Sequence, residues 1–256
     1  MDLFTADPAS AAILLCAAFF AGLIDSIAGG GGLITLPALL AVGMPPHIAL
    51  GTNKFAGTFG TFSATRIYIR KGIFRPALWR YAIAATLVGA LIGAASTRLF
   101  SAAMLNKILP LIIIVAGAYA LWPRTASTAV VGAELHPGKT ASATLGGLLG
   151  FYDGFSGPGT GVFWTTLAMK IFKADLVSAS GIARAMNFVS NLAALLTFAL
   201  LHSVNYVLGL SMGIAVMLGA SIGARSAIRY GRALIRPIFL VVVLVLAGRL
   251  AWLEWF

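Results

Sequence analysis

The chain has 256 residues, 60% of them hydrophobic and only 10% charged, with a formal net charge of +11. A soluble domain carries charge on roughly a quarter of its residues to cover its surface, so this composition excludes an ordinary soluble fold. The surplus of base does not point to nucleic acid either. The Lys and Arg residues sit at the ends of apolar stretches, as in cytoplasmic loops facing anionic lipid.

The N-terminus, MDLFTADPAS, carries acids where a signal peptide needs basic residues, so no cleaved targeting segment is expected. Residues 9–28 form one apolar run, interrupted by Gly29-Gly30-Gly31-Gly32. The piece that follows, 33–43, is too short to span, and Pro45-Pro46 ends it because proline cannot continue a helix. Three ordinary spanning helices are predicted next, at about 48–70, 76–98 and 103–122. A polar linker over 123–140 precedes a second apolar segment at 141–154, a Gly-rich break at 157–161 and a short piece at 162–171. Apolar stretches at 185–201, 208–224 and 237–252 complete the chain.

That second series repeats the first at an offset near 130 residues. Gly22-Leu23-Ile24-Asp25 lines up with Gly150-Phe151-Tyr152-Asp153, and Gly89-Ala90-Leu91-Ile92-Gly93-Ala94 with Gly219-Ala220-Ser221-Ile222-Gly223-Ala224. The protein therefore reads as a single transmembrane domain, 1–256, of two related halves at about 9–122 and 141–254. Charge sets their orientation. The first loop carries Arg66, Arg70, Lys71, Arg75 and Arg80, whereas its counterpart around His202 to Tyr206 has no Lys or Arg. At the next loop the bias reverses, with Arg98 and Lys107 in the first copy and Arg225, Arg229, Arg232 and Arg236 in the second. Because cytoplasmic loops collect Lys and Arg, the halves are predicted to be inverted-topology repeats. Thirteen of the 18 basic residues then face the cytoplasm. Asp2, Asp7 and Glu254 fall outside, with both termini on the non-cytoplasmic side. The fold class expected is an all-α integral membrane protein, each half a Gly-broken helical hairpin plus about three transmembrane helices.

The economical reading of each broken segment is a hairpin that enters and leaves on one side; two full crossings would demand a further hidden one. Irregular backbone at membrane depth survives only beside protein or a cavity. Short Gly-interrupted segments at matching positions of two inverted halves point to a transporter's binding site. Gly89/Gly93 and Gly219/Gly223 have the small-xxx-small spacing of close helix packing, whereas four consecutive glycines break a helix. No Lys-Ser or Lys-Thr follows them, which sets a phosphate-binding loop aside.

Lys54 and Arg184 are the principal candidates for chemistry. They lie 130 residues apart, each in the helix after a break. An ionisable side chain in a membrane segment costs at least about 2.5 kcal/mol on insertion scales and so faces a cavity or a partner. The N–H groups opening the two short helices, with the backbone of Gly30, Gly31 and Gly159, add partial positive charge. Cations plus helix N-termini specify a small anion. Three roles stay open for Asp25 and Asp153: ion pairing with Lys54 and Arg184, a coupling proton, or capping of the broken segment. Thr52, Asn53, Ser178, Ser180, Asn187 and Asn191 can donate to anion oxygens or bond between helices.

His47, His136 and His202 sit in or beside loops without metal-ligand spacing, and Cys16 is the lone cysteine, so no metal, disulfide or cofactor is expected. Trp122, Trp252 and Trp255 read as interfacial anchors. No nucleophile–base pair appears at catalytic spacing, so an enzyme is not expected. An anion channel is the competing class. Protons are a candidate coupling ion, and a homodimer a candidate assembly.

The run from Gly22 through the four glycines to Pro37, the segment Ala49-Leu50-Gly51-Thr52-Asn53-Lys54 and the late Gly219-to-Arg225 stretch resemble the sulfite exporter TauE/SafE family over about residues 10–250. The resemblance implies a permease of the bacterial cytoplasmic (inner) membrane for small anions, sulfite and organosulfonates being the substrates associated with the family, or another small organic anion. Pro158 and Thr160 in the second break depart from the first, so the two half-sites are chemically unequal.

Overall fold

The computed structural model describes residues 8–121, 135 and 137–230. The described residues form helices joined by turns, without strands. The helices are α1 (Pro8–Ala28), α2 (Gly32–Ala41), α3 (Pro46–Arg70), α4 (Arg80–Ser96), α5 (Ala102–Leu121), α6 (Lys139–Phe155), α7 (Thr160–Ile171), α8 (Leu176–Leu200) and α9 (Tyr206–Tyr230). Short 3₁₀ turns, Pro76–Trp79 and Thr97–Leu99, flank α4. Among the described residues, five segments are long and apolar enough to cross a membrane: Ser10–Ile27, Pro76–Leu99, Ala102–Ala120, Leu176–Leu200 and Tyr206–Arg229. The stretch expected at 237–252, most of the linker 123–140, His136 and the three anchor tryptophans lie outside the described residues.

Local chemistry explains the element ends. Pro46 occupies the first turn of α3, where its missing N–H costs nothing. At the matching start of α8 the same task falls to Asp175, whose side chain accepts from the N–H groups of Val177 and Ser178. At ten residues α2 is about 15 Å long and at twelve α7 is about 18 Å. Both are far short of a hydrocarbon core of about 30 Å.

Glycine faces set the packing. Gly146, Gly150 and Gly154 of α6 lie against Ala82, Thr86 and Ala90 of α4, so closely that a Cβ on any of them would overlap a facing backbone carbonyl. Both series advance by four, so the two helices run parallel. Gly219 and Gly223 of α9 meet the carbonyls of Phe19 and Leu23 of α1 in the same way, and Gly22 meets that of Val216. With no hydrophobic drive between helices in lipid, such backbone approach and the dispersion it permits hold helices together.

The central pair is α3 and α8. Gly51 packs on Phe198, Gly57 on Asn191, Phe62 on Phe188, and Tyr68 on Gly181. One series ascends while the other descends, so these two helices run in opposite directions. Their contacts are also reciprocal: Gly51 on Phe198 becomes Gly181 on Tyr68 when each residue is exchanged for the one 130 positions away. A larger apolar core gathers α1, α2, α5, α9, the first part of α3 and the last part of α8, and a second gathers around Tyr68, Trp79 and Trp164.

Candidate functional site

Asp25 stands in the last turn of α1, and the helix stops because Gly29 and Gly30 adopt φ of +89° and +98°. An L side chain rarely tolerates this region. The second break has the same form: Gly157 and Gly159 adopt φ of +89° and +80° on either side of Pro158, with Asp153 one turn before them. The breaks touch. A Cβ on Gly29 would fall 2.5 Å from the nitrogen of Val162, and one on Gly32 would lie 3.6 Å from Cα of Pro158.

Each acid is met by the cation of the other half. Lys54 Nζ lies 2.7 Å from Asp153 Oδ1, and an Arg184 guanidinium nitrogen 2.6 Å from Asp25 Oδ2. Both cations are buried, with 1% of their side chains exposed. The same Arg184 nitrogen also donates to the carbonyl of Asp25. Asp25 in turn accepts from the N–H of Gly31 at 2.8 Å, so it combines ion pairing with capping of the α2 entrance. Asp153 accepts from the hydroxyls of Thr160 and Ser190.

Between the breaks lies a small polar hollow. Its lining includes Asp25, Asn53, Lys54, Asp153, Asn187 and Asn191, with Gly30, Gly31, Gly32, Gly157, Gly159 and Gly161 supplying backbone. The N–H groups of Gly30, Gly32, Gly159 and Gly161 have no acceptor among the described residues. Four unpaired amide donors at two helix entrances form a surface made for acceptor oxygens. The hydroxyl of Thr35 donates to Asn53 Oδ1, which turns the amide nitrogen of Asn53 towards Gly32. Asn187 Oδ1 is buried without a partner.

Four residues singled out from the sequence stand elsewhere. The Thr52 hydroxyl accepts from the backbone N–H of Asn205 at 2.9 Å and is absent from the lining. Arg184 is sealed behind Gly161, whose Cβ, if it had one, would overlap the guanidinium; its Nε and outer nitrogen have no partner there. Ser178 bonds to Asp175, and Ser180 back to the carbonyl of Leu176. Thr35, Gly57 and Ser190 were not anticipated. The spacing of Arg184, Asn187 and Asn191, three and four residues apart, marks one face of α8 and could have drawn attention to Ser190 beside it. Among the described residues no three His, Cys, Asp or Glu side chains gather as a metal site.

With every group ionised, two cations and two carboxylates sum to zero. Any positive potential in the hollow then comes from the two helix entrances and their free N–H groups.

Known proteins agree with this frame. The family model for sulfite exporter TauE/SafE proteins matches residues 14–250. The chain belongs to that family. The probable membrane transporter protein YfcA of Escherichia coli K12 is 36% identical over 251 residues, 98% of this chain and 93% of that protein. A probable membrane transporter protein of Haemophilus influenzae is also 36% identical, with 96% of each chain covered. The probable membrane transporter protein ORF9 of a Sinorhizobium species is 38% identical over 243 residues, 93% of this chain and 91% of the other. No solved structure matches the chain. Family membership and, among the described residues, five apolar helices of spanning length make this TauE/SafE protein a multi-pass membrane transporter.

Proposed function

We propose that the protein is a secondary transporter for a small anion, a sulfur oxyanion or organosulfonate such as sulfite, which it binds in the hollow between the two glycine breaks. The observation that carries this reading is that Gly30, Gly32, Gly159 and Gly161, whose N–H groups are unpaired, line one polar space together with Lys54, Asn53 and Asn187. Both carboxylates are already held by cations, so an incoming oxyanion meets hydrogen-bond donors from both halves.

The halves are read as inverted repeats that rock against each other around this site. The opposite run of α3 and α8, whose positions correspond at an offset of 130, supports that reading. So do the crossed ion pairs. The basic loop of Arg70, Lys71 and Arg75 then faces the cytoplasm of a bacterial cell, and the termini face away. Protons are the proposed coupling ion.

A thermal-shift screen of the purified protein against sulfite, sulfate, sulfonates and small carboxylates tests the substrate class. Stabilisation by sulfite or sulfonates, lost in Lys54→Ala, is expected. Stabilisation only by carboxylates would move the reading to another organic anion. Reconstituted flux that grows without saturation and without counter-substrate stimulation would replace the carrier with an anion channel.

A further inference from the structure

The two ion pairs occupy corresponding places, yet they are chemically unequal in their ability to take up a proton. We infer that the proton accompanying the substrate sits on Asp153, and that Asp25 stays ionised throughout the cycle. The inference rests on the anion-transport reading and assigns its coupling step to one pair.

Consider what each carboxylate would meet once protonated. Asp25 is held by the N–H of Gly31 and by the Arg184 guanidinium. These groups only donate, and guanidinium keeps its proton throughout the accessible pH range. A carboxylic acid there would find no acceptor in either of these two partners and would have to turn its new O–H to the hollow that it lines. Asp153 is held by Lys54 and by two hydroxyls, those of Thr160 and Ser190. A hydroxyl donates or accepts by rotation, and both already have a second acceptor within reach. Thr160 Oγ1 lies 2.8 Å from the carbonyl of Gly157, and Ser190 Oγ 3.0 Å from that of Met186. When Asp153 is protonated these hydroxyls swing to the carbonyls and leave lone pairs for its O–H. The exchange leaves no orphaned hydroxyl or carboxyl oxygen, which avoids the desolvation cost of buried unpaired groups, and it frees the charge of Lys54 for the incoming anion.

Both acids line the hollow, Asp25 with 16% and Asp153 with 5% of its side chain exposed, so the difference lies in their cations: Lys54 lines the hollow and Arg184 does not. Lys54 is a compact single-point donor, and Arg184 grips Asp25 at both its carboxylate and its carbonyl.

The charged surroundings of Asp153 are few. On α3 only Lys54 reaches it. The sole ionisable side chain of α8 is Arg184, balanced by Asp25 of α1. Beyond Tyr81, α4 carries none, and α7 has only Lys170 near its far end. On α6 itself the neighbouring Tyr152 hydroxyl is committed to the carbonyl of Pro158.

The step balances. A proton from water joins an Asp153 oxygen, Lys54 keeps its own proton, and one substrate anion takes the place the carboxylate left. One proton and one monoanion enter together, without net charge.

The test uses the full-length protein reconstituted in liposomes and radiolabelled methanesulfonate, a permanently ionised probe that cannot itself carry the proton. Accumulation is expected to rise about tenfold per pH unit of inward gradient and to ignore a potassium–valinomycin potential. Asp153→Asn is expected to lose the response to the gradient. A second measurement needs no substrate. On acidification, infrared difference spectra should show the carbonyl band of a buried protonated carboxyl. That band should disappear in the charge-neutral double variant Lys54→Gln/Asp153→Asn and persist in Arg184→Gln/Asp25→Asn. The inference is overturned by the reverse pattern of bands, by a band that survives in both variants, or by accumulation that follows the potential. If the wild type moves no methanesulfonate, the substrate class fails, and the infrared bands still decide the proton's place.

Discussion

Tyr68 and Phe198 lie 130 residues apart and cover each other's glycines: Tyr68 packs on Gly181, and Phe198 on Gly51. The two covers are unequal in tightness. A Cβ on Gly181 would approach Tyr68 Cδ1 at 3.1 Å, a ring edge able to give way. A Cβ on Gly51 would overlap the backbone carbonyl of Ser203, which is fixed. Gly51→Ala is therefore expected to destabilise by about 1–3 kcal/mol, and Gly181→Ala by less than about 1 kcal/mol. Thermal unfolding in detergent measures the difference.

Breaking one crossed ion pair leaves its partner buried and uncompensated. Lys54→Ala and Arg184→Ala should each cost about 3–5 kcal/mol, while removing both members of a pair should recover much of that loss. Unfolding midpoints of the singles and of Lys54→Ala/Asp153→Ala check it. Equal stability of single and double would show that the pair is not formed.

Glycine backbone conformation offers an internal control. Gly29, Gly157, Gly43 and Gly72 all have positive φ, but around Gly43 and Gly72 a Cβ would meet nothing within 4 Å. Gly43→Ala and Gly72→Ala should cost only about 1–2 kcal/mol of backbone strain. In Gly29→Ala and Gly157→Ala the same strain adds to overlap with Val162 nitrogen or with Asp153 and Lys54. These two variants should lose ligand-induced stabilisation altogether.

Thr52 and Asn53 are adjacent yet should behave differently. Thr52→Val removes the acceptor for the Asn205 N–H and should cost about 1–3 kcal/mol of stability with unchanged ligand affinity. Asn53→Ala and Asn187→Ala, which alter the lining of the hollow, should weaken sulfite or sulfonate binding about tenfold, the effect of losing one hydrogen bond to a charged group. Ligand titrations of the thermal shift separate the two effects.

Topology is testable with single cysteines once the exposed Cys16 is replaced by serine. A cysteine at Lys71, in the basic loop after α3, should react with an impermeant maleimide only from the cytoplasmic side. A cysteine at Ser203, in the corresponding loop after α8, should react only from the opposite side. Labelling of both from one side would remove the inverted arrangement.

The membrane fold was legible because lipid imposes a one-dimensional rule: spans of sufficient length must be apolar. Helix ends at Pro46, Gly29 and Gly157 were legible too, since proline and consecutive glycines act through their own backbone, whatever surrounds them. Family membership followed from the same motifs, and the four-glycine run with Asn53-Lys54 downstream lies within the matched residues 14–250. Charge also marked Lys54, Arg184, Asp25 and Asp153 as residues needing partners, because burial without one is costly wherever the chain places it.

Which partner each found was decided only in three dimensions. The crossing of Lys54 to Asp153 and of Arg184 to Asp25 joins residues of different halves. It depends on the opposite run of α3 and α8, which the loop charges indicate, and on how the two breaks pack against each other, which they do not. Nor could spacing tell that Thr52 turns to Asn205 while Asn53 turns to the hollow, or that Gly161 hides Arg184 and leaves Lys54 on the lining. Neighbouring residues on a helix point about 100° apart, and only the packed neighbours determine which direction holds the cavity.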